Sequence, residues 1–180
     1  MKKAARRARS LRLLALIVGP WLHADIADAA TPEAEVKAAY LYKLASFVRW
    51  PAGSGAGAFR FCIAGRDDVV GVLQQLVRGQ QVDGRPLAVE QVKAGSADVA
   101  KECQILFLGR GPDTARALLG ATRGLPVLTV GDRNNGTQGG VVDFLIRDGH
   151  VRLAIDRGDA AARHLELSSK LLNVAVAVDP

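Results

Sequence analysis

The sequence is poor in the residues that usually carry metal and hydrolytic chemistry. Only three histidines, two cysteines and one methionine occur among 180 residues. There is no HExxH segment, no cysteine–histidine pattern at zinc-ligand spacing, and no Gly-x-Ser-x-Gly nucleophile elbow. Hydrolytic and zinc chemistry therefore have no evident carrier, and we expect a protein that works by binding, without catalysis, metal or cofactor.

A long apolar run is also missing. The run LLALIVG at 13–19 falls far short of the ~20 residues that a membrane-spanning helix needs. It follows a basic opening segment and precedes Ala27-Asp28-Ala29, the small-x-small pattern that signal peptidase recognises. We predict a secretory signal peptide over 1–29 and a single exported domain over 30–180, with an uncleaved anchor as the alternative.

Loss of the signal peptide removes most of the net positive charge. The whole chain has 24 Lys and Arg against 18 Asp and Glu, for a net charge of +6. Residues 1–29 hold six of the basic and two of the acidic side chains, which leaves 18 and 16 and a net charge of +2. A nearly neutral domain gives no support to nucleic-acid binding.

Both cysteines, Cys62 and Cys103, lie in the predicted mature domain. In an oxidising compartment two cysteines usually form one disulfide. Cys62 falls in the first predicted strand and Cys103 opens a later one, and the first strand of a doubly wound sheet commonly lies between the second and third. We therefore expect a bridge between neighbouring strands, with two free buried thiols as the alternative.

Alternation of strands and helices indicates a parallel sheet. FRFCIAG is a short β-rich run, and QILFLG and LPVLTVGD have the continuous apolar character of central strands. The intervening VVGVLQQLV and PDTARALLGATRG have helical spacing, and QVDGRPLAVEQV predicts a turn before a half-buried strand. This alternation is typical of an α/β fold.

The end of the chain predicts a hairpin instead. Asp148-Gly149 is a strong two-residue turn signal between two alternating runs. Centring the hairpin on it gives the apolar cross-strand pairs Ile146–Val151, Phe144–Leu153 and Val142–Ile155, with Asp143, Arg152 and Asp156 on the other face. A helix, a brief extended segment LEL at 165–167 and a second helix capped by Ser168 follow. We expect a mixed, mostly parallel sheet flanked by helices, ending in an antiparallel hairpin and C-terminal helices.

Four of the nine aromatic residues fall within the segment VKAAYLYKLASFVRWP at 36–51. Helical spacing predicts that one apolar stripe packs on the sheet. The predicted stripe consists of Val36, Tyr40, Leu44 and Phe47, widened by Leu41 and Val48. Most of the aromatic side chains of this helix are therefore expected in the core.

The opposite face of this helix is a candidate binding surface. Tyr42 and Arg49 fall there and Trp50 lies at its margin, a composition that is favoured at binding hot spots. We predict these three residues, together with Arg152 and Arg163, as partner contacts that face solvent. The alternative is that Trp50 packs under the following loop and Tyr42 is an ordinary surface residue.

Two glycine-containing loops invite comparison with cofactor sites. GRGPDT at 109–114 follows a strand and opens a helix, but Thr114 replaces the third glycine of a dinucleotide fingerprint and Pro112 stiffens the turn. GTQGG at 136–140 is better interpreted as a loop that enters the hairpin than as a phosphate cradle. Loops at the carboxyl ends of the strands still offer a place for a small ligand.

Six segments, in order along the chain, resemble the motifs of the YfiR-like family, also known as DUF4154. They are KAAYLYKLASFVRWP, FCIAG, CQILFLG, VLTVGD, GGVVDF and HLELSSKLLNVA. The resemblance covers nearly all of the predicted mature domain. It departs from the family at Asp156, where the family usually has asparagine, and in having only two cysteines where some relatives have a second pair.

The resemblance implies an exported, homodimeric regulator. The best-understood type in the family is a periplasmic repressor of an inner-membrane diguanylate cyclase, relieved by an outer-membrane lipoprotein. We therefore predict a periplasmic binding protein that contacts the periplasmic part of an inner-membrane GGDEF protein and lowers cyclic-di-GMP signalling. The alternative is a small-ligand-binding module of a transport or sensing system.

Overall fold

Helices and strands alternate along the chain as the apolar spacing predicts. The computed structural model describes residues 31–54, 57–93, 96, 98 and 101–179, so the predicted signal peptide lies outside the described residues. The helices are α1 (Pro32–Phe47), α2 (Asp67–Val77), α3 (Pro112–Ala121), α4 (Arg157–Ala162) and α5 (Ser169–Val174). None of the described helices is long and apolar enough to cross a membrane.

The strands form one large mixed sheet and one small one. The strands are β1 (Val48–Arg49), β2 (Phe59–Ala64), β3 (Gln81–Val82), β4 (Arg85–Val92), β5 (Ile105–Leu108), β6 (Leu128–Asp132), β7 (Val142–Arg147), β8 (His150–Asp156), β9 (Glu166–Leu167) and β10 (Ala177–Asp179). The eight-stranded sheet has the order β10-β8-β7-β6-β5-β2-β4-β3, while β1 and β9 pair separately and antiparallel. The mixed, mostly parallel α/β sheet is confirmed.

Helices cover the two faces of the large sheet. Because side chains alternate along a strand, Phe61 of β2 points toward α1 and α2, whereas its neighbour Cys62 points toward α3. Each side chain joins a separate apolar core, the larger one on the α1 face and the smaller one around Leu118 of α3. Two cores on opposite faces are what a doubly wound sheet requires.

The hairpin forms in the predicted register. The observed pairs include Ile146 with Val151, Phe144 with Leu153 and Val142 with Ile155. Asp148 and Gly149 both have positive φ, 53° and 72°, as a primed two-residue turn demands. The local turn signal therefore fixes which face of β7 and β8 enters the core.

The predicted stripe of α1 is partly wrong. Val36 is 42% exposed, and Tyr40 and Phe47 are only half-buried. The face that packs inward consists of Ala34, Lys37, Ala38, Leu41, Leu44 and Ala45. Small alanines let the helix approach its neighbours closely, so the buried face follows residue size as well as hydrophobicity.

The disulfide links the two strands at the centre of the sheet. Cys62 of β2 bonds to Cys103, which lies two residues before the start of β5, and the two Cα atoms lie 5.9 Å apart. β2 and β5 are parallel neighbours, with Phe61 opposite Ile105. Both cysteines are buried in the α3-side core. The expected bridge between neighbouring strands is therefore present.

Candidate functional site

A buried ion pair lies at the carboxyl end of the sheet. Asp132 ends β6, and α1 crosses above it so that the ammonium group of Lys37 donates a hydrogen bond to Asp132 Oδ2 at 2.6 Å. Both side chains are 0% exposed. Lys37 also bonds to Glu33 one turn earlier, and Asn135 Nδ2 donates to Asp132 Oδ2 at 2.7 Å. This buried ion pair therefore connects helix α1 to the end of β6.

Arg66 extends this pair into a cluster. Its guanidinium donates two hydrogen bonds of 2.7 Å to the carboxylate of Asp68, and its Nη1 lies 3.6 Å from both Glu33 Oε1 and Asp132 Oδ2. We call Glu33, Lys37, Arg66, Asp68 and Asp132 the charge cluster. Its charges balance to within one unit, which is the arrangement that buried charges require.

The charge cluster fills the crevice where a doubly wound sheet usually binds its ligand. That crevice lies between the loops after β2 and β5, because the chain continues from β2 to β4 toward one edge of the sheet and from β5 to β6 toward the other. The amide of Gly109 donates to Ala64 O at 2.9 Å, and the Arg66 side chain packs so closely on Gly109 that a Cβ there would clash. The chain's own arginine therefore occupies the position that a small ligand would take.

The second glycine-rich loop is occupied in a similar way. The amides of Gly139 and Gly140 donate to the carboxylate of Asp143 at 3.2 and 3.1 Å, and Arg133 Nε donates to it at 3.1 Å. A side chain of the protein thus takes the place that a phosphate would hold in a cradle. Among the described residues, no group of three or more His, Cys, Asp or Glu side chains is arranged to hold a metal ion.

The charge cluster predicts a loss of stability in acid. Hydrogen bonds from Lys37 lower the pKa of Glu33, and those from Arg66 lower the pKa of Asp68. Carboxylates with a depressed folded-state pKa stabilise the fold above the unfolded pKa of about 4, and this contribution disappears as pH falls through the folded value. We expect the Tm to decrease as the pH is lowered from about 5 to about 3. The decrease should be smaller in the Asp68→Asn variant than in the wild type.

The matched control for this measurement is Asp113→Asn. Asp113 pairs with Arg116 on the surface of α3, where its side chain is almost fully exposed. A calorimetric pH series should therefore give the same slope for this variant as for the wild type. Equal slopes for Asp68→Asn and the wild type would contradict a stabilising role for the cluster.

An apolar groove lies between α1 and the β7–β8 hairpin. Its volume is about 390 Å³, and it is lined by Val36 and Tyr40 of α1 and by Ile146 and Val151 of the hairpin. Pro32, Glu33, Gly149, His150 and Arg152 complete the lining. We call this the hairpin groove. It combines a floor of apolar side chains with charged groups at its edge.

A second, more polar groove lies where α1 ends. It has a volume of about 490 Å³ and runs between β1, β9 and the turn that joins β3 to β4. Arg49 lines it and makes an ion pair with Glu166 at 3.0 Å. Both side chains are largely exposed, and exposed pairs contribute at most about 1 kcal/mol, so Arg49 is free to exchange partners. We call this the β1 groove.

The structure divides the predicted partner contacts between these places. Arg49 lines the β1 groove, and Arg152 is exposed at the hairpin groove. Tyr42 is half-buried, with its hydroxyl 3.5 Å from Gln80 Oε1. Trp50 is also half-buried and packs edge-on against a neighbouring phenylalanine, with ring centroids 5.0 Å apart. The predicted contacts do not form one continuous hot spot.

The expectation that Arg163 faces solvent is wrong. Its side chain is only 3% exposed, and its guanidinium donates to Thr122 O at 2.6 Å and to Asp159 Oδ2 at 2.9 Å. It thus connects α4 to the chain after α3. The i, i+4 spacing of Asp159 and Arg163 was the available sequence signal. Charge reversal here would disturb folding, because it would bury a carboxylate beside a carbonyl.

Comparison with known protein families confirms the resemblance to the YfiR-like family. A family model described as DUF4154, YfiR/HmsC-like, matches residues 34–176. The match runs from the first turn of α1 to the residue before β10. It includes the disulfide and the β1 groove, and all of the charge cluster and the hairpin groove except Pro32 and Glu33. No curated protein matches the chain significantly.

Proposed function

The chain belongs to the YfiR/HmsC-like family, and on this premise we propose that it is a periplasmic protein that represses an inner-membrane diguanylate cyclase. Members of the family are periplasmic regulators without catalytic activity. The observation that carries the proposal is the extent of the family match, which runs from the third residue of α1 to beyond the end of α5. Repression would lower cyclic-di-GMP and, with it, biofilm formation.

Repression of this kind is a shift of populations. The regulator binds the inactive state of the cyclase more tightly than the active state and so favours the inactive one. Moving a two-state equilibrium from 99% active to 99% inactive requires a preference of roughly 10⁴-fold. Any component that removes the regulator, such as an outer-membrane lipoprotein, would release the cyclase.

Surface features of the domain support a binding role. The usual ligand crevice holds Arg66, whereas two open grooves present apolar and arginine side chains of the kind enriched at protein interfaces. We also propose that the protein forms a homodimer, as the family resemblance implies. If one groove lies in the interface between the two copies, the other remains available to the partner. Light scattering of the purified mature domain measures this assembly.

Affinity capture from membranes tests the proposed partner. Immobilised mature domain, residues 30–180, is expected to retain a transmembrane GGDEF protein from detergent-solubilised inner membranes, and an unrelated periplasmic protein on the same support is not. Identification is by mass spectrometry. Retention of transporter subunits instead would contradict the proposal and favour a ligand-binding module of a transport system.

A further inference from the structure

We propose that Asn135 is a site of spontaneous deamidation, and that its conversion to aspartate or isoaspartate loosens the buried attachment of helix α1 to the sheet. Asn135 is the last residue of a short 3₁₀ turn, Arg133–Asn135, which follows β6, and Gly136 comes directly after it. The inference concerns the chemistry of the chain itself and does not depend on the function proposed above.

Asn135 is the asparagine of this chain whose sequence context favours the reaction. The asparagines lie at positions 134, 135 and 173, where they precede asparagine, glycine and valine. Deamidation begins when the main-chain nitrogen of the next residue attacks the side-chain carbonyl carbon, and a glycine, which has no Cβ, leaves this attack unhindered. Asn173, by contrast, lies within α5 and precedes a stiff β-branched side chain.

The reaction needs only water as a co-reactant. The nitrogen of Gly136 forms a bond to Cγ of Asn135 and loses its proton, the Cγ–Nδ2 bond breaks, and ammonia leaves, which closes a succinimide ring. Water then adds to one of the two imide carbonyl groups. Cleavage of the bond from Cγ to the Gly136 nitrogen gives aspartate, whereas cleavage of the bond from the main-chain carbonyl carbon to that nitrogen gives isoaspartate. Each product carries one new negative charge.

The turn leaves the attacking nitrogen near the surface. Gly136 is exposed with a φ of 77°, and its amide donates to Arg133 O at 3.2 Å, the long end of the normal range. Short 3₁₀ turns have poorer hydrogen-bond geometry than α-helices, so this turn opens without unfolding of the sheet. The bond from Asn135 to Asp132 must open as well. The folded domain is therefore expected to react more slowly than an unfolded peptide.

Deamidation would change the charge cluster at its most buried carboxylate. Asn135 Nδ2 donates to Asp132 Oδ2 at 2.7 Å, and the ammonium group of Lys37 donates to the same oxygen. Asp132 is fully buried, and its Oδ1 has no partner among the described residues. A carboxylate at position 135 replaces a donor by a like charge, in a cluster that already holds three carboxylates against two cations. Asp132 then keeps Lys37 as its one close donor.

Isoaspartate would also disturb the turn itself. It adds one methylene group to the main chain between Asp132 and Thr137, which pair across the turn. The Thr137 hydroxyl accepts a hydrogen bond from the Asp132 amide at 2.9 Å and donates one to Leu108 O. Because a longer main chain displaces Thr137 from these bonds, both products disturb Asp132 and, through it, the attachment of α1.

Ageing of the mature domain in mildly alkaline buffer tests the site. The synthetic peptide DRNNGTQ, which copies residues 132–138, is aged beside it. Peptide mass spectrometry detects deamidation as a mass gain of one dalton. We expect the folded domain to convert at Asn135, more slowly than the peptide, while Asn134 and Asn173 stay unchanged. Absence of conversion at Asn135 after the peptide has fully reacted, or equal conversion at all asparagines, would overturn the proposal.

Two substitutions test the consequence without ageing. Asn135→Asp supplies the aspartate product directly and is expected to lower the Tm at neutral pH by at least about 5 °C. It should also speed hydrogen exchange of the α1 amides near Lys37 relative to the wild type. The matched control is Asn134→Asp, an exposed neighbour whose side-chain oxygen still accepts from the Ile146 amide. Its Tm should stay within about 2 °C of the wild type.

A pH series separates the effect of charge from a change of shape. A carboxylate that lies beside Asp132 titrates at a higher pH in the folded state than in the unfolded state. Its cost to stability is therefore present at neutral pH and disappears as the pH is lowered toward about 4. The difference in Tm between Asn135→Asp and the wild type should shrink over this range. Equal Tm values for Asn135→Asp and Asn134→Asp at neutral pH, or a difference that does not shrink in acid, would overturn the proposal.

Discussion

Replacement of Lys37 by methionine is expected to lower the free energy of unfolding by about 3–5 kcal/mol, because it leaves the Asp132 carboxylate buried without its ammonium partner. Asp132 is fully buried, and its Oδ1 has no hydrogen-bond partner among the described residues, so its stabilisation depends on the bonds to Oδ2. Methionine keeps nearly the same length and fills the same space. Urea unfolding measures the loss.

Two further variants isolate the charge from the packing. Lys43→Met changes an exposed lysine of the same helix and is expected to alter the free energy of unfolding by no more than about 0.5 kcal/mol. The double variant Lys37→Met with Asp132→Asn should recover part of the loss, because the fully buried carboxylate at position 132 is gone as well. A loss below about 1 kcal/mol for Lys37→Met alone would mean that the pair does not hold α1 in place.

Loss of the disulfide is the other large expected effect. The bond joins residues 41 positions apart, and the chain-entropy estimate for closing such a loop is about 4 kcal/mol. For a domain of this size, removal of the bond should lower the Tm by on the order of 10 °C. Cys62→Ser followed by thermal unfolding measures the effect. Reduction of the wild type under denaturing conditions, followed by refolding in reductant, should give a similar Tm.

The double variant checks that a single bond is responsible. Cys62→Ser with Cys103→Ser should melt at about the temperature of either single variant, since the same bond is lost in each. Thiol labelling of the unfolded, unreduced wild type gives the direct count. Two reactive thiols per chain would contradict the bridge.

Signals local in sequence were enough for most of the fold. The turn Asp148-Gly149 fixed the register of β7 and β8 without any long-range information, and the apolar runs located β2, β5 and β6. The extended segment predicted at 165–167 contains β9, but the short strands β1 and β10 were not foreseen. With two or three residues each, they exist only because a partner strand far along the chain aligns them, and no local pattern records that pairing.

The site was less predictable than the fold, because its parts come from distant segments. From the sequence alone Lys37 would be expected to face solvent, because its partner Asp132 lies 95 residues further along the chain. The burial of Arg163 was missed for the same reason, because the carbonyl oxygen of Thr122, which accepts its hydrogen bond, lies 41 residues earlier in the chain. The exposure of Arg49 and Arg152 agrees with the sequence prediction, but their separation into two grooves follows only from the packed structure. Whether they contact a partner stays a prediction.

Intracellular cyclic-di-GMP, measured by mass spectrometry in matched strains, tests the central claim most directly. Deletion of the gene is expected to raise the concentration of cyclic-di-GMP. Expression of the exported domain should return the concentration to the wild-type value, whereas expression of residues 30–180 in the cytoplasm should leave it raised. The rise should also disappear in a strain that lacks the captured GGDEF protein. An unchanged concentration after deletion, in cells that contain that cyclase, would contradict the claim that this protein is its repressor.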